Sequence, residues 1–294
     1  MRATRPAAAL ALVLALSACA ESPGVGSPSA APSSTAAPSS DVAATEGLVL
    51  RVEHTGGYVT PSMLAARLPL VSVYADGRVI TEGPVPAIYP GPALPNVQVA
   101  EIGPAQVQDL VDRALAAGVG EDGDLGSPPV ADAPSTRFTL VTATDTHVRE
   151  IYALGMSAGL PGAADAAGAG ITAEQAAARA ELSEFLASVT DPGRASEPYE
   201  PEAVAAVVSP WVDPEDGLTQ PELPWPGPEL PGEPVGGLGD VSCVTATGAE
   251  AQALLAAARE GNAATPWVTS DGMRWSVSFR PLLPDETGCA DLLE

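Results

Sequence analysis

Few residues of this chain have types and spacings that could perform chemistry. The segment Gly155–Gly159 (GMSAG) matches the G-x-S-x-G pattern, in which a strained turn between a strand and a helix exposes a nucleophilic serine, here Ser157. Pro161 follows too soon for an immediate helix, and no histidine follows the serine. His54 or His147 could still act as its base, because a triad is defined in space. A serine hydrolase that uses Ser157 is therefore kept as an alternative, and the main expectation is a protein that is not an enzyme.

Metal ions and cofactors have no recognisable binding motif in the chain. Neither histidine lies near a cysteine pair or three to four residues from the other, so the spacing does not predict a zinc site. Glu121–Asp124 and Asp213–Asp216 are acidic, but neither reproduces a twelve-residue calcium loop, and solvated loops explain both. The chain contains no lysine, which excludes both a phosphate-binding loop of the lysine-containing type and Schiff-base catalysis by a lysine. We expect no cofactor and no metal.

The charge of the chain is strongly negative, with 13 Lys+Arg against 37 Asp+Glu and a formal net charge of −24. Between Arg194 and Arg259 no basic residue occurs, while acidic residues are frequent. Such a surface repels nucleic-acid phosphates and anionic lipid headgroups. We therefore expect no nucleic-acid partner and no electrostatic binding to membranes.

The N-terminal residues have the pattern of an export signal. Arg2 and Arg5 precede the apolar stretch Ala7–Leu16, which is about half the length that a membrane-spanning helix needs. The stretch runs into Leu16–Cys19 (LSAC), which resembles the lipobox of bacterial lipoproteins. The resemblance implies cleavage after residue 18, a lipid on Cys19 and a location on the outer, extracytoplasmic face of the cell membrane. An ordinary secretory signal with a chance cysteine is the alternative.

Residues 19–46 are predicted to form a tether. Residues 20–45 are almost entirely Ala, Ser, Pro, Gly and Thr, a composition that cannot bury a core. We expect this segment to be extended and disordered, and to hold the folded part away from the membrane.

Residues 47–193 have the pattern of an α+β domain, in which helices pack against an antiparallel sheet. Two strands flank Asp76-Gly77, a dipeptide that favours a two-residue hairpin turn. In that register Val73 would lie opposite Ile80. Further strands are predicted at residues 48–53, 137–142 and 147–154.

Two helices are predicted within that domain. Pro104 stands where a helix tolerates the missing N–H, and apolar residues at helical spacing continue to Leu115, before Gly118. A capping-box pattern at Thr172 predicts a second helix that ends at about Val189.

The remaining sequence divides into two parts. Residues 194–239 are acidic and proline-rich and are predicted to be an interdomain connector, with one strand at residues 204–211. Residues 240–294 are predicted to be a small α+β module with a helix opened by a capping box at Thr247. Its last hairpin surrounds Asp271-Gly272, and in a two-residue turn Trp267 would face away from the core.

The cysteines predict a disulfide bond between Cys243 and Cys289. With Cys19 carrying lipid, these two are left as an even pair in an oxidising compartment. One lies on the first strand of the C-terminal module and the other just after its last hairpin, so the bond would close almost the whole module. Two free thiols are the alternative.

Three segments resemble uncharacterised lipoproteins of actinobacteria: Asp76–Ile80, Gly91–Asn96 and Arg280–Glu286 with Cys289 beyond it. The resemblance covers most of the mature chain. It implies a shared location and fold, and it carries no activity and no catalytic residue.

Three functions remain open at this point. The first is a non-catalytic, membrane-anchored lipoprotein that binds another envelope protein, and the sequence favours it because the body has modules but no catalytic constellation. The second is a small-molecule-binding lipoprotein that serves a transporter, although the repeated βαβ pattern of the usual two-lobed binding proteins is absent. The third is the hydrolase that uses Ser157.

Overall fold

Two antiparallel-rich sheets and four helices organise the computed structural model, which describes residues 42–155, 170–191 and 195–293. The α+β class predicted from the sequence is confirmed. The helices of the described residues are α1 (Pro61–Ala65), α2 (Pro104–Ala116), α3 (Ala173–Val189) and α4 (Gly248–Glu260). None of them has the length and apolar composition that crossing a membrane requires.

Seven strands form the first sheet: β1 (Leu48–Gly56), β2 (Val71–Tyr74), β3 (Arg78–Glu82), β4 (Val97–Glu101), β5 (Pro134–Val141), β6 (Thr146–Tyr152) and β7 (Glu197–Pro198). Their order across the sheet is β6-β5-β1-β2-β3-β4-β7, and all neighbours are antiparallel. One face is apolar and packs against α2 and α3 in the first core.

The two helices on this sheet begin and end as the sequence predicts. In α2 the backbone N–H of Gly103 donates to the side chain of Gln106, and Pro104 occupies the first turn. In α3 the reciprocal capping box is complete, because Thr172 and Gln175 each accept a hydrogen bond from the other's backbone N–H. These bonds satisfy N–H groups that the first helical turn leaves without partners.

Six strands form the second sheet: β8 (Ala203–Pro210), β9 (Leu223–Pro224), β10 (Glu233–Pro234), β11 (Ser242–Thr247), β12 (Trp267–Val268) and β13 (Arg274–Pro281). Their order is β10-β11-β8-β13-β12-β9, with only the β12–β9 pair parallel. Helix α4 covers one face and α1 contacts the other. Thr247 is the residue before α4, but its side chain makes no capping hydrogen bond, so the predicted capping box is wrong there.

Strand β8 lies between β11 and β13 and is buried on both faces. Val204, Ala206 and Val208 face the second core, while Ala205 and Val207 face the opposite side. This strand comes from the segment predicted as a connector, which also supplies β7, β9 and β10. The C-terminal residues therefore do not form their own sheet: they complete one whose central strand lies before residue 211.

Both Asp-Gly hairpins differ from the predicted two-residue turn. The N–H of Gly77 donates to the carbonyl of Tyr74, and the N–H of Gly272 donates to that of Thr269, each with a glycine at positive φ. This is a three-residue loop with a bulge, and it shifts the pairing by one residue. Val73 pairs with Val79 rather than with Ile80.

The same shift moves Trp267 to the buried side of its strand. It pairs with Trp275 and is almost fully buried, packed edge-on against Trp225 and Phe279. The prediction that Trp267 faces away from the core is wrong, because one residue of register exchanges the two faces of a strand.

The predicted Cys243–Cys289 disulfide is confirmed. It joins β11 to a short 3-10 helix, Cys289–Leu293, across 46 residues, with the Cα atoms 5.9 Å apart. In the loop-entropy account, closing a loop of this length stabilises the fold by roughly 4 kcal/mol.

The segment Leu282–Glu286, called here the C-terminal clasp, joins the two sheets. Arg280 at the end of β13 forms a 2.7 Å ion pair with Glu286, with side chains only 3% and 4% exposed. The second carboxylate oxygen of Glu286 accepts the N–H of Leu283, and Nε of Arg280 donates to the carbonyl of Arg67. The charges are thus buried as a hydrogen-bonded unit.

The first sheet holds the other end of the clasp. Arg51 of β1 donates to both carboxylate oxygens of Asp285, at 2.8 and 3.0 Å, and Tyr74 of β2 donates its hydroxyl to the same group. Burial together with this hydrogen bond raises the pKa of Tyr74 well above its ordinary value. Tyr199, just after β7, donates to the carbonyl of Leu282. The clasp therefore contacts strands at the centre and near the edge of the first sheet.

Glu286→Gln should destabilise the protein by about 3–5 kcal/mol, because it leaves the Arg280 charge buried without its counter-ion. Urea unfolding measures this free energy. Glu222→Gln is the matched control, since its pair with Arg274 has half-exposed side chains and should cost less than about 1 kcal/mol. Equal small losses in both variants would show that the clasp does not hold the sheets together.

Candidate functional site

The predicted lipidation and hydrolase residues are not part of the described structure. Cys19 and Ser157 both lie outside residues 42–155, 170–191 and 195–293. Both assignments remain predictions.

The two histidines occupy distant positions on the first sheet. His54 pairs with Thr136 on β5 and His147 pairs with Leu140 on the same strand. The pairing residues are four positions apart, which separates the histidines by about 13 Å along the strand direction. They do not form a common site.

The two acidic loops use their carboxylates to cap turns. Asp124 accepts the N–H of Gly126, while Asp213 and Asp216 accept backbone N–H groups two residues further on. In the described ranges no group of three or more His, Cys, Asp or Glu side chains is arranged to hold a metal ion.

The loop between β3 and β4, residues 83–96, is called here the proline loop because five of its fourteen residues are prolines. Its ends are joined by a hydrogen bond from the N–H of Gly83 to the carbonyl of Asn96. Further along, the carbonyl of Gly91 accepts the N–H of Ala263, and Leu94 packs against the second core. Prolines and these contacts fix the loop conformation in the folded state.

Large apolar side chains are exposed at the tip of the proline loop. Ile88 and Tyr89 are 62% and 70% exposed, and Leu218 of the loop between β8 and β9 is 50% exposed. The Tyr89 hydroxyl donates to Asp216 at 2.9 Å, and the N–H of Leu218 donates to the other oxygen of the same carboxylate. Ile88, Tyr89, Leu218 and Asp216 are called here the loop surface.

The electrostatics of the loop surface are acidic. Asp213 and Glu215 lie in the same loop as Asp216, and Arg274, which contacts the two ends of this loop, is neutralised by its ion pair with Glu222 at 2.6 Å. The hydrogen bond to Asp216, and the charge of that carboxylate, raise the pKa of Tyr89 above its ordinary value. The surface thus combines an aromatic ring and aliphatic side chains with fixed negative charge.

The loop surface and the first described residues lie at opposite ends of the first sheet. Ala43 forms a bridge with Thr142, which follows β5, at the end of the sheet where Leu48 of β1 pairs with Tyr74. The proline loop leaves β3 at the opposite end, where Glu82 pairs with Val97.

Comparisons with protein-family models, with curated proteins and with solved structures find no match to this chain.

Sequence reasoning did not identify the loop surface. Its one available signal was the density of prolines around Ile88 and Tyr89, since each proline restricts the backbone of the loop. The contact with Asp216 joins residues 127 positions apart, and no local pattern indicates it.

A pH-dependent contribution to stability is expected at His54. Burial lowers the pKa of His54, and the charge of Arg67, which donates to the backbone carbonyl of His54, lowers it further. The unfolded chain therefore binds a proton near pH 6.5 that the folded chain binds only at lower pH. Stability should fall as the pH drops below about 6.5.

His54→Gln should remove this part of the pH dependence. Urea unfolding free energies of the wild type and the variant, measured between pH 7.5 and 5, make the comparison. The difference in unfolding free energy between the wild type and the variant should be constant above pH 7. Below pH 7 the wild type should lose more stability than the variant. Parallel curves across the whole range would contradict the assignment.

Proposed function

We propose that this protein is an exported, lipid-anchored lipoprotein that binds another envelope protein through the loop surface. The observation that carries the proposal is the exposure of Ile88 and Tyr89 on the proline loop, beside the exposed Leu218 of the loop between β8 and β9. Exposed aromatic and aliphatic groups on a preorganised support are typical of binding surfaces, since little conformational entropy is lost on association.

The export part of the proposal rests on two independent features. One is the order of charged segment, apolar segment and lipobox before Cys19. The other is the disulfide, because such bonds persist in oxidising compartments and are rare in the cytosol.

The charge of the loop surface defines the partner. Asp213, Glu215 and Asp216 favour a partner segment that carries Arg or Lys beside apolar side chains. An anionic membrane surface would be repelled by the same carboxylates. A basic, apolar segment of an envelope protein is therefore the occupant that we propose.

The topology of the first sheet fits this role. The first described residues lie at one end of the sheet, where Ala43 forms a bridge with Thr142, and the proline loop leaves the other end. A protein attached through its N-terminal residues would present a loop at that opposite end to partners rather than to its own attachment point.

Cys19→Ala should abolish lipid attachment and cleavage at this position, because only the thiol can accept the lipid. Metabolic labelling of the full chain with a fatty-acid probe in a bacterial host tests this. The variant Cys243→Ala/Cys289→Ala, which keeps Cys19, should label like the wild type. Equal label on the wild type and on Cys19→Ala would contradict the anchor.

Ile88→Ser/Tyr89→Ala should weaken partner binding by about tenfold or more, as loss of central apolar contacts usually does. Envelope proteins that crosslink to the wild type are compared with those that crosslink to the variant. A protein that crosslinks only to the wild type is then purified, and its affinity for the wild type and for the variant is measured at low and high salt. Salt should weaken binding to the wild type because the contact is partly ionic.

Val148→Ser is the matched control, because Val148 is 61% exposed on β6, outside both loops. It should retain the partner. A partner that binds the double variant as tightly as the wild type, or that is lost equally in the control, would contradict the role of the loop surface.

A further inference from the structure

A groove of about 280 Å³ lies beside the base of the proline loop, between that base, the segment after β7 and helix α4. Its apolar lining includes Leu94 and Leu255, both of which belong to the second core. Its polar lining includes Glu200, Gln252 and Arg259. The groove therefore combines an apolar floor with a few polar groups, as small-ligand sites do.

Secondary structure holds each wall of the groove in place. One wall is a single face of α4. Leu255 lies three positions after Gln252 and four positions before Arg259, so the three side chains are on the same side of the helix. The opposite wall is fixed by the N–H of Tyr199, which donates to the carbonyl of Val97 at 2.9 Å. Burial raises the pKa of Tyr199 to about 12, so its hydroxyl stays protonated while it donates to the clasp.

In the other recesses of the described structure each lining arginine already has a partner, although some carboxylates there, such as Glu202, have no ion pair. In the recess beside His54, Arg137 forms an ion pair with Glu150 at 3.1 Å. In the recess beside the clasp, Arg78 forms one with Asp76 at 2.8 Å. These cations have partners within the protein.

The groove differs, because its arginine, Arg259, makes no side-chain hydrogen bond or ion pair with the described residues. Among the residues that the structure describes, neither Arg259 nor Glu200 has an oppositely charged partner, and the two do not pair with each other. Both side chains are exposed to solvent at the groove. One cation and one anion that do not pair with each other thus line the same groove, together with apolar side chains.

We propose that this groove binds a short apolar peptide with free termini, whose carboxylate pairs with Arg259 and whose ammonium group pairs with Glu200. A guanidinium binds a carboxylate with two parallel hydrogen bonds, which favours the terminal carboxylate over other anions. The apolar side chains of the ligand would contact Leu94 and Leu255.

The size of the groove limits the ligand to about two residues. Drug-sized ligands occupy pockets of about 300–1,000 Å³, and this groove is at the lower limit. An extended chain advances about 3.3–3.6 Å per residue, so a dipeptide places its two charged ends farther apart than a free amino acid does. This site is independent of the loop surface and would give the protein a second, small-molecule ligand.

Calorimetric titration of the full chain with valyl-leucine tests the proposal, with N-acetylated and C-amidated valyl-leucine as probes of each charge. The wild type should bind the free dipeptide, and blocking either terminus should weaken binding about tenfold. Arg259→Gln should weaken binding of the free dipeptide by a similar factor and should not further weaken the amidated one. Glu200→Gln should likewise weaken binding of the free dipeptide about tenfold and should not further weaken binding of the N-acetylated dipeptide.

Arg113→Gln and Glu250→Gln are the matched controls, since both residues are exposed and neither lines the groove. Both should bind the free dipeptide like the wild type, and unfolding midpoints are measured for every variant. The proposal is overturned if the folded wild type shows no saturable binding up to 10 mM. It is also overturned if the blocked dipeptides bind as tightly as the free one.

Discussion

Arg280 and Glu286 form an ion pair that is almost completely withdrawn from water, and the relation between the two sheets depends on it. Such a pair is tolerated only when its remaining hydrogen-bonding groups are satisfied, and here a backbone N–H and a backbone carbonyl do so. The same short segment brings Asp285 to Arg51 and Tyr74. The loop surface and the groove both use residues from the two sides of this junction, so these polar contacts help to set their geometry, together with the packing of Leu283 against Tyr74 and Val97 and of Leu94 against the second core.

The parts of the fold that local physics determines could be predicted from the sequence. Helices α2 and α3 have apolar residues at helical spacing and capping side chains within three residues of their starts, so their bounds follow from neighbouring residues alone. The disulfide followed from counting cysteines rather than from geometry. The α+β class followed from the alternation of such segments.

What could not be predicted depends on contacts between distant residues or on turn geometry. An Asp-Gly pair fits both a two-residue turn and a three-residue loop, and the choice decides whether Trp267 is exposed or buried. A strand was predicted at residues 204–211, but its position at the centre of a sheet depends on partners 34 to 77 residues later in sequence. Arg259 carries no local signal, because a charge without a partner is recognised only once its neighbours in space are known.

The central position of β8 has a consequence for the order in which a secreted chain could fold. A polypeptide that crosses a membrane with its amino end first releases β8 before either β11 or β13. The first sheet can be completed once β7 has emerged, whereas β8, an uncharged apolar strand, has both edges open until β11 emerges and one edge open until β13 does. Such edges invite wrong pairing. Glu200, Glu202 and Asp213 flank the strand closely, and negative charge in these positions opposes edge-to-edge pairing between copies of the unfinished chain.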